Sequence, residues 1–199
     1  MTKTVEFCFD LISPPSYLAY TQLPAIAAQT GAQIVWRPVL VGAIHKATGN
    51  RAPIEVPAKG KYLLADLARY AARYRVPFRL NPHFPFNTLP HQRMATGLLL
   101  RQPGAFDAFI ARMFEAIWVE GLDLTAPAVI AEVIARAGLD AAQVMALAED
   151  VQVKDALREN TERAVARGAF GVPTFFVDDQ MFWGQDRLDF VRDALTVGA

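Results

Sequence analysis

The chain opens on an apolar segment whose two faces are both greasy. Val5, Phe7 and Phe9 share one face of a strand, and Cys8 with the following Leu11 and Ile12 keeps the segment apolar on the other. That pattern predicts a central strand covered on both sides. Tyr17 to Thr30 predicts a helix ending at Gly31, and Gln33-Ile34-Val35-Trp36-Arg37 a second strand stopped by Pro38. Together they form a βαβ unit, which requires a right-handed crossover and a parallel sheet. From Leu40 to Ala58 no periodicity is sustained, and Gly42, Gly49, Asn50, Pro53 and Pro57 mark a long loop of the kind that often carries function. Lys59 to Tyr74 is helical, with Tyr62, Ala65, Asp66, Arg69 and Arg73 at i+3/i+4 spacings, and Val76 to Leu89 is a proline-punctuated link.

The alanine-rich middle is helical. Phe106, Phe109, Ile110, Met113, Phe114, Ile117 and Trp118 recur at helical spacing and define one wide apolar stripe, whose default reading is core. Further helices are expected over Pro127 to Ala137, Ala141 to Ala148 and Val153 to Arg167, broken at Gly138 and at Glu149-Asp150. After Gly168 the pattern returns to β: Thr174 to Val177 and Met181 to Trp183 flank the turn dipeptide Asp178-Asp179, and Asp186 stands as a cap for a closing helix from Arg187 to Val197. The order βαβ, helices, ββα places the chain in the α/β class.

Composition narrows the function. With 199 residues and 53% apolar content the chain has ample material for a core. Its 20 basic and 20 acidic residues cancel, so nothing electrostatic points to nucleic acid or an anionic membrane, and a small-molecule partner is expected. The single cysteine, Cys8, cannot form an internal disulfide and lies in an apolar strand. The start Met1-Thr2-Lys3-Thr4 carries no secretory h-region and no long uncharged apolar run follows, so a cytoplasmic location is expected.

Chemistry is expected where the first strand meets the first helix, at Ser13-Pro14-Pro15-Ser16. Proline suits the first turn of a helix and disfavours helical dihedrals in the residue before it, which makes Ser13 an N-cap. Serine before proline is commonly a cap and nothing more. A cap hydroxyl there also sits at the positive end of a helix dipole, beside unpaired backbone N–H groups that favour an anion such as a thiolate. A second loop-to-strand stretch, Phe170-Gly171-Val172-Pro173-Thr174-Phe175-Phe176-Val177, lies far downstream.

These two stretches together resemble the thioredoxin superfamily, whose first βα junction carries the reactive group and faces a cis proline. Ser13-Pro14-Pro15-Ser16 occupies the place of Cys-x-x-Cys, which excludes a dithiol mechanism. The pattern from Asp10 to Leu18 is closer to the kappa-class glutathione transferases and the bacterial 2-hydroxychromene-2-carboxylate isomerases. Further matching pieces are Thr48-Gly49-Asn50, Pro57 to Tyr62, Gly168 to Pro173 and Phe182 to Arg187. The resemblance implies a thioredoxin-like core (1–58 and 168–199) with an inserted all-helical domain (59–167), a homodimer, and glutathione as cofactor.

It also assigns residues. Ser13 is implied as the catalytic group, donating a hydrogen bond to the glutathione sulfur and lowering its pKa; none of the histidines His45, His83 and His91 supplies a recognisable base that would make it a nucleophile. Val172, on a cis bond to Pro173, is implied to pair its backbone with the cysteinyl unit; the plain alternative is an ordinary trans strand entry. Asn50 and Lys59 are implied carboxylate contacts, and Gln185 and Asp186 are implied at the γ-glutamyl end; singly, Lys59 reads as a surface lysine and Asp186 as a cap. His45, Lys46, Asn87, Trp118 and Trp183 are candidates for a planar aromatic acid, which needs a cation, a hydrogen-bonding group and flat walls, with His45 or Lys46 facing it. No metal site is expected. Three functions remain open: isomerisation of 2-hydroxychromene-2-carboxylate with recycled glutathione, kappa-type conjugation that consumes glutathione, and binding without catalysis.

Overall fold

The computed structural model describes residues 2–196; Val197, at the end of the expected closing helix, lies outside them. The sheet has four strands in the order β2-β1-β3-β4. β1 (Thr4–Phe9) is central, parallel to β2 (Gln33–Pro38) and antiparallel to β3 (Thr174–Val177), which pairs with the edge strand β4 (Gln180–Trp183). Its two apolar faces are thereby accounted for, since helices cover both sides. α1 (Pro14–Thr30) makes the crossover between β1 and β2 and stops at Gly31, whose φ of 66° is the left-handed conformation that glycine adopts without a Cβ penalty.

The helical segment comprises α3 (Pro57–Tyr74), α4 (Leu89–Arg101), α5 (Pro103–Glu115), α6 (Pro127–Arg136), α7 (Ala141–Ala146) and α8 (Val151–Ala166), and α9 (Leu188–Thr196) closes the chain. All seven residues of the apolar stripe are buried, and α5 runs directly into a π-helical turn, Ala116–Glu120, that carries Ile117 and Trp118. Phe114 meets Phe9 at 6.0 Å and Tyr20 at 4.9 Å between ring centres, and Phe7 stacks on Phe175 at 5.2 Å. One apolar core therefore runs from the sheet into the inserted helices. Each such fully buried aromatic contributes about 1.5–3 kcal/mol of transfer free energy.

Two sequence expectations fail here. The segment 40–58 is not a loop throughout: α2 (Val41–Thr48) fills its first half, followed by a 3-10 turn, Pro53–Glu55. Its first N–H groups are satisfied by side chains distant in sequence, Leu40 donating to the Thr161 hydroxyl (3.1 Å) and Val41 to the Asp10 carboxylate (3.0 Å), so no local cap announces the helix. Asp186 does not cap α9. It lies inside a 3-10 turn, Gln185–Arg187, and its carboxylate pairs with Arg187 at 2.5 Å. The break expected at Glu149-Asp150 is present, and Asp150 there caps α8 through the Gln152 amide at 2.8 Å.

Candidate active site

Ser13 is the N-cap of α1, its hydroxyl accepting from the Ser16 amide at 3.2 Å, and it donates to the Val172 carbonyl at 3.4 Å across the gap between the two halves of the sequence. The Val172-Pro173 bond is cis, as expected. One correction bears on the chemistry. The first two positions of α1 are prolines, which have no N–H, the third amide bonds the Ser13 hydroxyl, and the Tyr17 amide bonds the Ser13 carbonyl (3.1 Å). The donors expected to be free at this helix start are therefore absent or used, which leaves the Ser13 O–H as the group that can turn toward an anion. Its bond to Val172 is long, so redirecting it costs little. The Ser16 amide that it accepts polarises it as a donor.

Of the other residues implied for a thiol site, Asn50 and Gln185 are tied to the loops around this pair, and Asp186 and Lys59 open into other clefts. Asn50, exposed just after α2, donates to the Phe170 carbonyl at 2.7 Å, two residues from Val172. Pro173 accepts from Gly184 at 3.0 Å, which brings the neighbouring Gln185 and Asp186 alongside; Gln185 is buried, and the Tyr74 hydroxyl bonds its carbonyl at 2.8 Å. Asp186 is exposed in a separate cleft of about 340 Å³ shared with Tyr70, Arg73 and Arg192. Lys59, in the first turn of α3, is exposed and lines another cleft of about 400 Å³ with Tyr62 and Asp66, one that Ser13 does not line.

The aromatic-acid candidates fare unevenly. Trp183 is 43% exposed, packs its ring on Phe170 at 4.9 Å, and lies so close over Gly171 that a Cβ there would come within 2.8 Å of its Nε1. His45 is half-buried on α2, and burial lowers its pKa while Glu55 opposes the shift. Lys46 and Asn87 are exposed, and the Asn87 side chain accepts from the Leu89 amide at 2.9 Å, closing a local turn before α4. Trp118 is a correction: at 0% exposure it offers no open wall. It packs between Phe78 and Phe84 and donates its indole N–H to the Leu11 carbonyl at 3.0 Å, so it braces the reactive turn from behind.

Sequence reading missed a second brace. Gln92 of α4, fully buried, donates to the carbonyls of Phe9 and Val39 (both 2.8 Å) and accepts from the Leu11 amide at 3.4 Å. Its trace in the sequence is a polar pair, His91-Gln92, with Thr96 one turn on, among the apolar positions of the same helix. No His/Cys/Asp/Glu cluster among the described residues has the arrangement to hold a metal, and Cys8 is buried with its thiol pushed up to about 12 by desolvation. A disulfide or thiolate role for this cysteine has no support.

This geometry, a cap hydroxyl facing an X-cis-Pro carbonyl at the end of a central β1, defines a thioredoxin-type site, and the comparisons agree. Residues 4–196 match the family model of the DSBA-like thioredoxin domain. The chain is 38% identical over 197 residues to a 2-hydroxychromene-2-carboxylate isomerase of Sphingobium xenophagum, covering 98% of this chain and 99% of that one, and 30% identical to human glutathione S-transferase kappa 1, covering 98% and 92%. A solved 2-hydroxychromene-2-carboxylate isomerase superposes with a TM-score of 0.84 at 30% identity, covering 96% of this chain and 94% of that one. The chain belongs to the DSBA-like thioredoxin family, in the group that includes the 2-hydroxychromene-2-carboxylate isomerases and is related to the kappa-class glutathione transferases. Among the described residues no helix is long and apolar enough to cross a membrane.

Proposed function

We propose that this chain is a glutathione-dependent isomerase that converts 2-hydroxychromene-2-carboxylate to trans-o-hydroxybenzylidenepyruvate, a step in aromatic-compound degradation. The observation that carries the reading is the Ser13 hydroxyl, polarised by the Ser16 amide and held only loosely by the Val172 carbonyl, in a chain 38% identical to an isomerase of that name. Bound glutathione would supply a thiol that adds reversibly to an unsaturated carbon, permits ring opening and rotation about a former double bond, and leaves unchanged.

The chain's own part is to hold and ionise that thiol. The Ser13 O–H turns from Val172 to the sulfur, and the dipole of α1 favours the charged form. The freed carbonyl of Val172 then receives a peptide N–H in the manner of an added strand. Asn50 and Gln185 fit polar ends of a small peptide, since both are tied to the loops that frame Val172. Trp183, exposed beside Gly171, is a flat surface for a planar acid, and His45 or Lys46 of α2 is its cation or hydrogen-bond donor.

Ultraviolet titration of the glutathione complex tests the proposal. The bound thiol should ionise well below free glutathione in the native chain. In Ser13→Ala it should move back toward the free value, with turnover lower by about 100-fold, the scale of removing one preorganised donor. Equal thiol titrations in the two proteins would refute the role of Ser13. Conjugation with net consumption of glutathione is the second reading, favoured by the 30% identity to human glutathione S-transferase kappa 1.

A further inference from the structure

Asp10 follows the last residue of β1, stands three residues before Ser13 and is 2% exposed. Its carboxylate accepts three hydrogen bonds, all from neutral groups. Oδ1 takes the Ile12 amide (3.2 Å) and the Thr88 hydroxyl (2.7 Å), and Oδ2 takes the Val41 amide (3.0 Å). Its own carbonyl accepts from the Ser13 amide at 3.0 Å. These donors belong to three different elements. Ile12 is in the reactive turn, Val41 is the first residue of α2, and Thr88 is the N-cap residue of α4. α2 leads to His45 and Asn50, and Asn87 precedes α4.

A carboxylate of this size accepts at both ends. Asparagine would turn an NH₂ against one of the donors, and a hydroxyl would reach only some of them. Keeping an acid here is costly, because burial without a cationic partner disfavours its charge, and the Asp10 pKa is raised by desolvation against the pull of Thr88, Val41 and Ile12. The N-terminus of α2, whose Val41 amide donates to the carboxylate, offsets part of that cost.

We infer that Asp10 is a positioning residue of the active site: through its carboxylate it holds the Ser13 turn, the start of α2 and the start of α4 in one arrangement. The glutathione side and the aromatic-acid side thereby keep a fixed separation. This rests on the thiol reading above only for the meaning of the two sides. The clamp itself stands on the hydrogen bonds.

The test uses Asp10→Asn, with Thr88→Val as a milder variant that leaves the acid in place. Hydrogen exchange in Asp10→Asn should be at least tenfold faster at the Ile12 and Val41 amides, while the Gln33 amide of the sheet edge stays as in the native chain. With glutathione bound, the thiol pKa should rise in Asp10→Asn and rise by less in Thr88→Val. Removal of a nearby negative charge alone would lower it. Unchanged exchange at Ile12 and Val41, or a bound-thiol pKa that is unchanged or lowered in the variants, overturns the inference. Should Asp10→Asn not fold, Thr88→Val decides, and a thiol pKa equal to native overturns it. A native chain that binds no glutathione refutes the thiol reading instead, and the exchange rates then decide the clamp by themselves.

Discussion

His91 of α4 gives a prediction whose size follows from its surroundings. It is 1% exposed and meets Phe86 edge-on at 6.0 Å, and neither ring nitrogen has a well-formed hydrogen bond; the backbone of Leu124 and of Thr88 gives weak support only. Burial depresses its pKa from 6.5 to about 4. In the folded chain it is therefore neutral down to about pH 4, whereas in the unfolded chain it takes a proton near 6.5. The stability that neutral burial provides is complete above 6.5 and is lost as pH falls toward about 4. At ~1.36 kcal/mol for each pH unit the loss amounts to about 3 kcal/mol. Asp10 has the opposite sign, since its raised pKa contributes stability at low pH that is lost as pH rises. Comparing native with His91→Gln cancels that contribution. Urea unfolding of both proteins from pH 7.5 to pH 4 should show native losing ~3 kcal/mol relative to the variant. Parallel stability curves would refute a neutral, unsupported His91.

Three further outcomes follow from the geometry. Trp118→Ala should lower stability by about 3–5 kcal/mol, since it empties a fully buried site and frees the Leu11 carbonyl, and thermal unfolding measures it. A variant of native stability that loses only aromatic-acid affinity would restore Trp118 as a pocket wall. Asn50→Ala removes an exposed bond to Phe170 worth about 1 kcal/mol, so the melting temperature should fall by about 2–4 °C, and calorimetry should find glutathione bound roughly fivefold more weakly because the Phe170 to Val172 loop loses its tether. Gly171→Ala puts a methyl 2.8 Å from the Trp183 Nε1 and should push that ring aside, raising KM for the aromatic acid more than for glutathione in steady-state kinetics.

Local chemistry made the heart of the site legible in sequence. Ser13 before two prolines suits a helix start, and Gly-Val-Pro-Thr before an apolar run marks the facing loop; the structure joins them at 3.4 Å. The stripe from Phe106 to Trp118 was legible because helical period reports which residues share a face. Period does not report depth, and so it left Trp118 open as a pocket wall when it is core. α2 was hidden because its caps, Asp10 and Thr161, arrive from distant parts of the chain. The same long range hid Gln92. Asp186 carries the right residue type for a cap, but an adjacent arginine claims its carboxylate and the 3-10 turn moves it off the helix start. The free N–H groups expected at α1 were miscounted for a reason that the sequence does contain: both prolines that mark the helix start also remove its donors.

The central claim, that Ser13 serves a thiol which is returned at the end of each cycle, is tested most directly by turnover with limiting glutathione. Purified protein is mixed with 2-hydroxychromene-2-carboxylate and glutathione at one hundredth of the substrate concentration, and the isomer is followed by its absorbance while free thiol is assayed at the end. Recycling predicts conversion to equilibrium with all the thiol recovered. Conversion that halts at one hundredth of the substrate, with the thiol gone, would contradict it and make this chain a conjugating transferase.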